Sequence, residues 1–160
     1  MNESIALSKA TQKLSELLPS ILNEPTLEYG TNIDELTVKI PSKFINPICN
    51  TLKTHSDTRF DYLRCLSVVD YEDFLEINYH LFSYIKRHKM VLKCELNPTQ
   101  PTIPSVSSIW RAANWFERES HDLFGVVFDD HPSLDRLLLP DDFEGTPGLK
   151  SYPLHEYKEW

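Results

Sequence analysis

The chain has 160 residues, with 24 Asp and Glu against 16 Lys and Arg and a formal net charge of −8. Its 41% hydrophobic and 25% charged residues are ordinary for a globular protein, long enough to bury about 70% of its unfolded surface around one core. The acidic balance argues against binding nucleic acid, which needs a Lys/Arg surface that releases counterions, and against unaided docking on an anionic bilayer.

The start, Met1-Asn2-Glu3-Ser4, lacks the basic residues and apolar run of a signal peptide. No apolar stretch approaches the ~18 residues that span a bilayer, so the expectation is a soluble chain. Residues 5–18 place Ile5, Ala6, Leu7, Ala10, Leu14, Leu17 and Leu18 at helical spacing, with Ser4 as cap and Pro19 as terminator. Thr26–Gly30 and Glu35–Ile40 read as strands around a turn at Gly30-Thr31-Asn32, with Leu36, Val38 and Ile40 on one face. A helix then starts with Asn46 as cap and Pro47 at its first position, and Ile48, Cys49 and Leu52 form its buried stripe.

Three strands follow, Tyr62–Tyr71, Phe74–Tyr84 and Lys89–Leu96. Leu75, Ile77, Tyr79 and Leu81 alternate with Glu76, Asn78 and His80, while Met90, Leu92, Cys94 and Leu96 oppose Lys89, Val91, Lys93 and Glu95. Such alternation gives one buried and one wet face, the mark of an antiparallel sheet. His80, alone on the polar face, reads as a solvated strand residue. The order α-β-β-α-β-β-β predicts an α+β fold, an antiparallel or mixed sheet with helices on one side.

Pro98, Pro101 and Pro104 punctuate a loop before a long helix over 105–123, capped by Ser105 and ended by Gly125 in the left-handed conformation. Val106, Ile109, Trp110, Ala113 and Phe116 give its core stripe. Arg111, Asn114, Arg118 and Asp122 lie opposite, and Glu117, Glu119 and His121 lie between. Ser120-His121-Asp122 has the residue types of a hydrolase triad, but consecutive helical side chains diverge by ~100° and do not meet. Arg118 and Asp122 are spaced for an i,i+4 ion pair. Glu117 and His121, with Asp129 and His131, are a candidate metal set, the basis of a rival reading as a free-standing metal-dependent hydrolase. Mixed charge beside Trp115 suits a protein interface.

Residues 129–160 differ in kind. Eight acidic against three basic side chains put five of the eight net negative charges here, with four of the eleven prolines. Prolines this frequent leave little room for regular structure. Yet Leu134, Leu137, Leu138, Leu139, Phe143, Leu149, Tyr152, Leu154, Tyr157 and Trp160 are too many large apolar groups to leave in water. They must lie on another surface, the chain's own or a partner's. The division expected is an α+β domain, 1–128, and an extended, proline-rich acidic arm, 129–160, whose composition points towards docking on a partner protein. The three cysteines, Cys49, Cys65 and Cys94, have neither C-x-x-C spacing nor the number an all-cysteine cluster needs, and read as small buried residues of a reducing compartment.

The run Trp110-Arg111-Ala112-Ala113-Asn114-Trp115-Phe116-Glu117-Arg118-Glu119, with Asp122-Leu123-Phe124-Gly125-Val126, resembles the signature of the 30 kDa subunit family of NADH-quinone oxidoreductase, respiratory complex I. The likeness continues through His131-Pro132, Leu134, Arg136, Leu137-Leu138-Leu139-Pro140-Asp141-Asp142 and Glu144-Gly145. Upstream, Ser67-Val68-Val69-Asp70-Tyr71, Tyr79-His80-Leu81 and Ile103-Pro104-Ser105-Val106 are similar too, so it covers about residues 60–153. The resemblance implies a hydrophilic scaffold protein of the peripheral arm of a proton-translocating quinone oxidoreductase, inactive in isolation and without a redox centre of its own. Iron–sulfur clusters, FMN and quinone are then expected in partner subunits. Those partners are the large subunit that helps form the quinone site and the iron–sulfur subunits. The implied place is peripheral, on the cytoplasmic side of the cell inner membrane or the equivalent face of an organelle membrane. No residue is implied as catalytic, cofactor-binding or metal-ligating. The signature residues expected at partner contacts are Trp115, Glu117, Arg118, Glu119, Asp122, Gly125, His131, Pro132, Arg136, Leu139, Pro140, Asp141, Asp142 and Gly145. One stretch departs from the family: Pro147-Gly148-Leu149-Lys150-Ser151-Tyr152-Pro153 lacks the usual Arg and Asp. This marks a branch with a different partner or electron donor, such as a ferredoxin-type, deazaflavin or hydrogenase system.

Overall fold

A computed structural model describes residues 8–32 and 35–153. The elements in order are α1 (Lys9–Leu22), β1 (Glu28–Asn32), β2 (Glu35–Lys39), α2 (Ile45–Thr54), β3 (Tyr62–Asp70), β4 (Leu75–Phe82), β5 (Lys89–Leu96), β6 (Thr102–Pro104), α3 (Ala113–Phe124) and β7 (Val127–Asp129). The α+β order read from the sequence holds. Five strands form one mixed sheet in the order β1-β2-β5-β4-β3, antiparallel except where β2 runs parallel to β5. Leu36, Val38, Ile77, Tyr79, Leu81, Leu92 and Cys94 on its inner face join Leu14 and Leu18 of α1, Ile45, Ile48, Cys49 and Leu52 of α2, and Ala113 of α3 in a single core. No described helix is long and apolar enough to cross a membrane.

Several boundaries differ from the sequence reading. Ser4, Ile5, Ala6 and Leu7 lie outside the described residues. The cap of α1 is Ser8, whose Oγ accepts the Thr11 N–H at 3.2 Å. Pro19 sits inside the last turn rather than ending it, and Asn23 in the left-handed conformation closes the helix on the Pro19 carbonyl. Proline there forfeits only its own N–H bond, which a terminal turn tolerates. Gly30-Thr31-Asn32 belongs to β1 rather than to a turn. A 3-10 turn at Ser42–Phe44 leads directly into α2, so Asn46 is helical; its side-chain amide donates instead to the Ser105 carbonyl, at 2.9 Å.

The sheet's outer face is drier than strict alternation suggests. Glu76, Asn78 and Val91 are buried there, and Lys93 pairs with Glu76 at 2.7 Å. Long flanking side chains shadow the two central strands. His80 is accordingly not alone: Glu35 lies 4.0 Å from it, 3.0 Å from Arg64 and 3.5 Å from Lys89.

The largest correction concerns residues 102–112. The expected helix over 105–123 is α3 alone, Ala113–Phe124. Before it, the proline-marked stretch carries β6, which pairs in parallel with β7, and residues 106–112 make successive turns. Val106, Ile109, Trp110 and Ala113 still point into the core, because the turns keep near-helical spacing. The Trp110 indole donates to the Phe60 carbonyl at 2.9 Å.

Candidate functional site

The chain's chemistry-bearing residues gather where α3, the β6–β7 pair and the segment after β7 meet. Glu117 projects from the middle of α3 and is fully buried. Its Oε2 accepts the Ser105 hydroxyl at 2.6 Å and its Oε1 accepts the Val106 N–H at 2.8 Å. Ser105, expected as a helix cap, is thus the residue just after β6, gripped by a carboxylate twelve residues on, while its own N–H donates to the Asp129 carbonyl at 2.8 Å. Nε2 of His131 lies 3.8 Å from Glu117 Oε2, with both side chains out of solvent. Burial raises the Glu117 carboxyl to about 7, against the pull of its two hydrogen bonds. Burial likewise holds His131 below the usual imidazole value.

Asp122, expected on an exposed face, is also buried. Its Oδ2 accepts the N–H groups of Leu137, Leu138 and Leu139 at 3.2, 2.7 and 2.8 Å. Burial pushes this carboxyl up, but the three N–H groups outweigh it and hold Asp122 below the usual carboxylate range. The expected Arg118–Asp122 pair therefore does not form. Arg118 turns to the Asp135 and Arg136 carbonyls, both at 3.0 Å, and its guanidinium stands 5.7 Å from the Trp115 ring. Arg136 in turn donates to the Pro140 and Phe143 carbonyls, each at 2.8 Å. Residues 130–153 contain no helix or strand, yet lie pinned to α3 and the end of β3: Gly148 donates to the Leu123 carbonyl at 2.8 Å, and Lys150 N–H to Asp70 at 2.8 Å. Leu134 and Leu149 pack against the main core. Leu154, Tyr157 and Trp160 lie outside the described residues.

The remaining signature residues fall around this knot. Gly125 ends α3 with φ 73° as expected, and Gly145 has φ 89° beneath the Tyr152 ring. Glu119, Asp141 and Asp142 are exposed, Leu139 is half-buried, and Trp115 keeps 63% of its surface in solvent. Trp115 and Pro132 line an open groove of about 520 Å³ with Ser107, Ser108, Arg111, Asn114 and Asp130. Of the candidate metal set, Glu117 and His131 meet, but His121 turns its Nδ1 to the Val126 carbonyl at 2.9 Å. No group of three or more His, Cys, Asp or Glu side chains converges among the described residues. Ser105 and Val106 were missed as partners of Glu117. The signal available was the polar Ser105 between two apolar residues, which a helix reading assigns to a cap.

Residues 38–158 match the family described as the 30 kDa subunit of respiratory-chain NADH dehydrogenase. An NADH-quinone oxidoreductase subunit from Roseiflexus sp. is 35% identical over 153 residues, covering 94% of this chain and 87% of the relative. The subunit of the same name from Chloroherpeton thalassium is 44% identical over 149 residues, 91% of this chain but 58% of the relative's length. Among solved structures, a chain of the membrane-bound sulfane sulfur reductase, an archaeal respiratory membrane complex, superposes with a TM-score of 0.76 at 25% identity. That match covers 89% of this chain and 86% of the other. Fold, signature and relatives agree: the chain belongs to the 30 kDa subunit family of respiratory-chain NADH dehydrogenase.

Proposed function

We propose that the chain is a scaffold component in the peripheral arm of a proton-translocating NADH:quinone oxidoreductase, complex I or complex I-like, and carries no redox centre itself. What supports this is the use made of the α3 signature. Glu117, Arg118 and Asp122 are all engaged by groups of the chain's own segments 105–106 and 135–139. Ionisable side chains fixed in this way hold a shape instead of meeting a substrate. The exposed residues around them, Trp115, Glu119, Pro132, Asp141 and Asp142, supply the contact surface. The partners in this reading are the large quinone-site subunit and the iron–sulfur subunits, which hold the clusters, FMN and quinone. The arm from 129 onward docks on them, at the cytoplasmic side of the cell inner membrane or the equivalent organelle face. The isolated chain is inactive.

A tagged copy purified from detergent-solubilised membranes is expected to bring iron–sulfur subunits with it. Recovery as a lone soluble monomer overturns the proposal.

A second reading gives the chain the same role in a complex fed by another electron donor. It is favoured by the likeness to the sulfane sulfur reductase chain and by the unusual 147–153 stretch. Quinone reduction by the purified complex, driven by NADH or by reduced ferredoxin, separates the two.

A further inference from the structure

We propose that the tip of the β4–β5 hairpin, together with the adjoining face of α1, is a docking surface for an acidic, leucine-bearing segment of another protein. The proposal stands apart from the family assignment, since it uses none of the signature residues.

The tip is locked. Ser83 is fully buried; its N–H donates to the His88 carbonyl at 3.0 Å, its carbonyl accepts the Arg87 N–H at 2.9 Å, and its Oγ accepts the Lys86 N–H at 3.1 Å. Asp61 accepts the Tyr84 N–H at 3.0 Å. His88, buried, places Nε2 2.7 Å from the Thr58 carbonyl and its ring 4.8 Å from that of Phe60. On this fixed backbone Tyr84 and Ile85 remain 56% and 58% exposed, followed by the exposed Lys86 and Arg87. Tyr84 leans on Tyr62 at 5.5 Å and on the edge of Phe82 at 5.1 Å, so the apolar edge is continuous. Apolar side chains held rigid and wet make good binding anchors, because little ordering remains to be done on association.

Beside the tip runs a groove of about 170 Å³. Ala10, Leu14 and Leu17 of α1 give it an apolar floor, and Lys13, Asp57, Lys86 and His88 complete its lining. Lys13, Lys86 and Arg87 against Asp57 and Asp61 leave this patch a positive excess of one on a chain whose net charge is −8. Charge complementarity therefore selects an acidic occupant, and the apolar floor selects one carrying aliphatic side chains. Concavity favours a protein segment over a lipid surface. Only two apolar side chains protrude, Tyr84 and Ile85, too few to anchor the tip in a bilayer.

The test is photo-crosslinking in native membranes, with the full-length chain carrying p-benzoylphenylalanine in place of Ile85. The same label in place of Thr99, at the opposite end of β5, sets the background. An adduct with a peptide of another protein, richer in Asp and Glu than in Lys and Arg and containing leucine, is the expected result. Lys86→Glu with Arg87→Glu should lower its yield about fivefold, the effect of two rim charges worth ~1 kcal/mol together, without altering thermal unfolding. Adducts only with lipid, with a second copy of the chain or with a basic segment overturn the proposal. So does a yield indifferent to the charge reversal, or one no higher than background. Normal assembly of the complex alongside any of these failures leaves the family reading standing.

Discussion

Glu117 and His131 meet at 3.8 Å with neither side chain in contact with water. Nδ1 of His131 accepts the Ser133 N–H at 3.1 Å, so the neutral ring carries its proton on Nε2, which faces the Asn114 carbonyl at 3.3 Å. Burial drives both groups towards their neutral forms, raising the acid to about 7 and lowering the base. A carboxyl whose folded value lies above its unfolded one stabilises the fold fully below about 4.5, and that contribution is lost as pH rises through about 7.

Chemical unfolding of the parent and of Glu117→Gln across pH is expected to show this directly. Between pH 5 and 8 the parent should lose about 2 to 3 kcal/mol relative to the variant, the equivalent of ~2 pH units of linkage. His131, with its lowered value, contributes stability above 6.5 that is lost as pH falls, but it does so in both proteins. A stability difference flat in pH would mean that Glu117 is charged throughout.

Gly148 lies against the end of α3 with no room to spare. A Cβ there would stand 2.8 Å from the Leu123 carbonyl and 2.9 Å from the Phe124 ring. Gly148→Ala must therefore push residues 146–150 off the helix and stretch the 2.8 Å bond to Leu123. A loss of about 1 to 3 kcal/mol in chemical unfolding is expected, with faster proteolysis after Lys150. Unchanged stability would show that the loop adapts without cost.

Trp110 tests the turns before α3. Its indole N–H is the partner of the buried Phe60 carbonyl, at 2.9 Å. Trp110→Phe keeps most of the apolar volume but leaves that carbonyl without its donor. Thermal and chemical unfolding should report a loss of about 1 to 3 kcal/mol. A loss below about 0.5 kcal/mol would mean that the ring, not the hydrogen bond, is what matters at this position.

The sheet was legible because its signal is local. Leu75, Ile77, Tyr79 and Leu81 alternate within one strand, and Leu36, Val38 and Ile40 do so along β2 and the residue after it; all seven are buried. The β6–β7 pair was not legible, since two strands of three residues each, one of them ending in Pro104, carry no period. Residues 105–112 misled for a physical reason. Their turns include a helix-like bond from Trp110 N–H to the Val106 carbonyl, so the apolar spacing persists although the helix does not. Glu117 and Asp122 were hardest. A carboxylate in a charged run reads as solvated, and what buries these two comes from residues far along the chain: 105–106 for one, 137–139 for the other. Long-range burial of a charge leaves no periodic trace: spacing alone reads Glu117 as a metal ligand and Asp122 as an ion-pair partner, and only resemblance to a family marks them as signature positions.

Asp122 joins the two parts of the chain, so its replacement should separate holding from catalysis. One oxygen binds three consecutive N–H groups, while Oδ1 is buried without a hydrogen-bond partner among the described residues. Asp122→Ala removes the acceptor altogether, and a loss of about 2 to 4 kcal/mol is expected, because hydrogen bonds to a charged acceptor are worth ~1.5 to 3 kcal/mol each and water recovers part of them. Asp122→Asn keeps an acceptor and should fall between the parent and the alanine variant. Limited proteolysis within 130–153 should quicken in the same order. Glu119, one turn away, is exposed, so Glu119→Ala should leave stability within about 0.5 kcal/mol. In membranes, both alanine variants should lower the amount of assembled complex, Asp122→Ala through the fold and Glu119→Ala through a contact. Turnover per assembled complex should stay near the parent's in each. A normal amount of complex with lost turnover would place one of these carboxylates in the chemistry, and the scaffold reading would then fail.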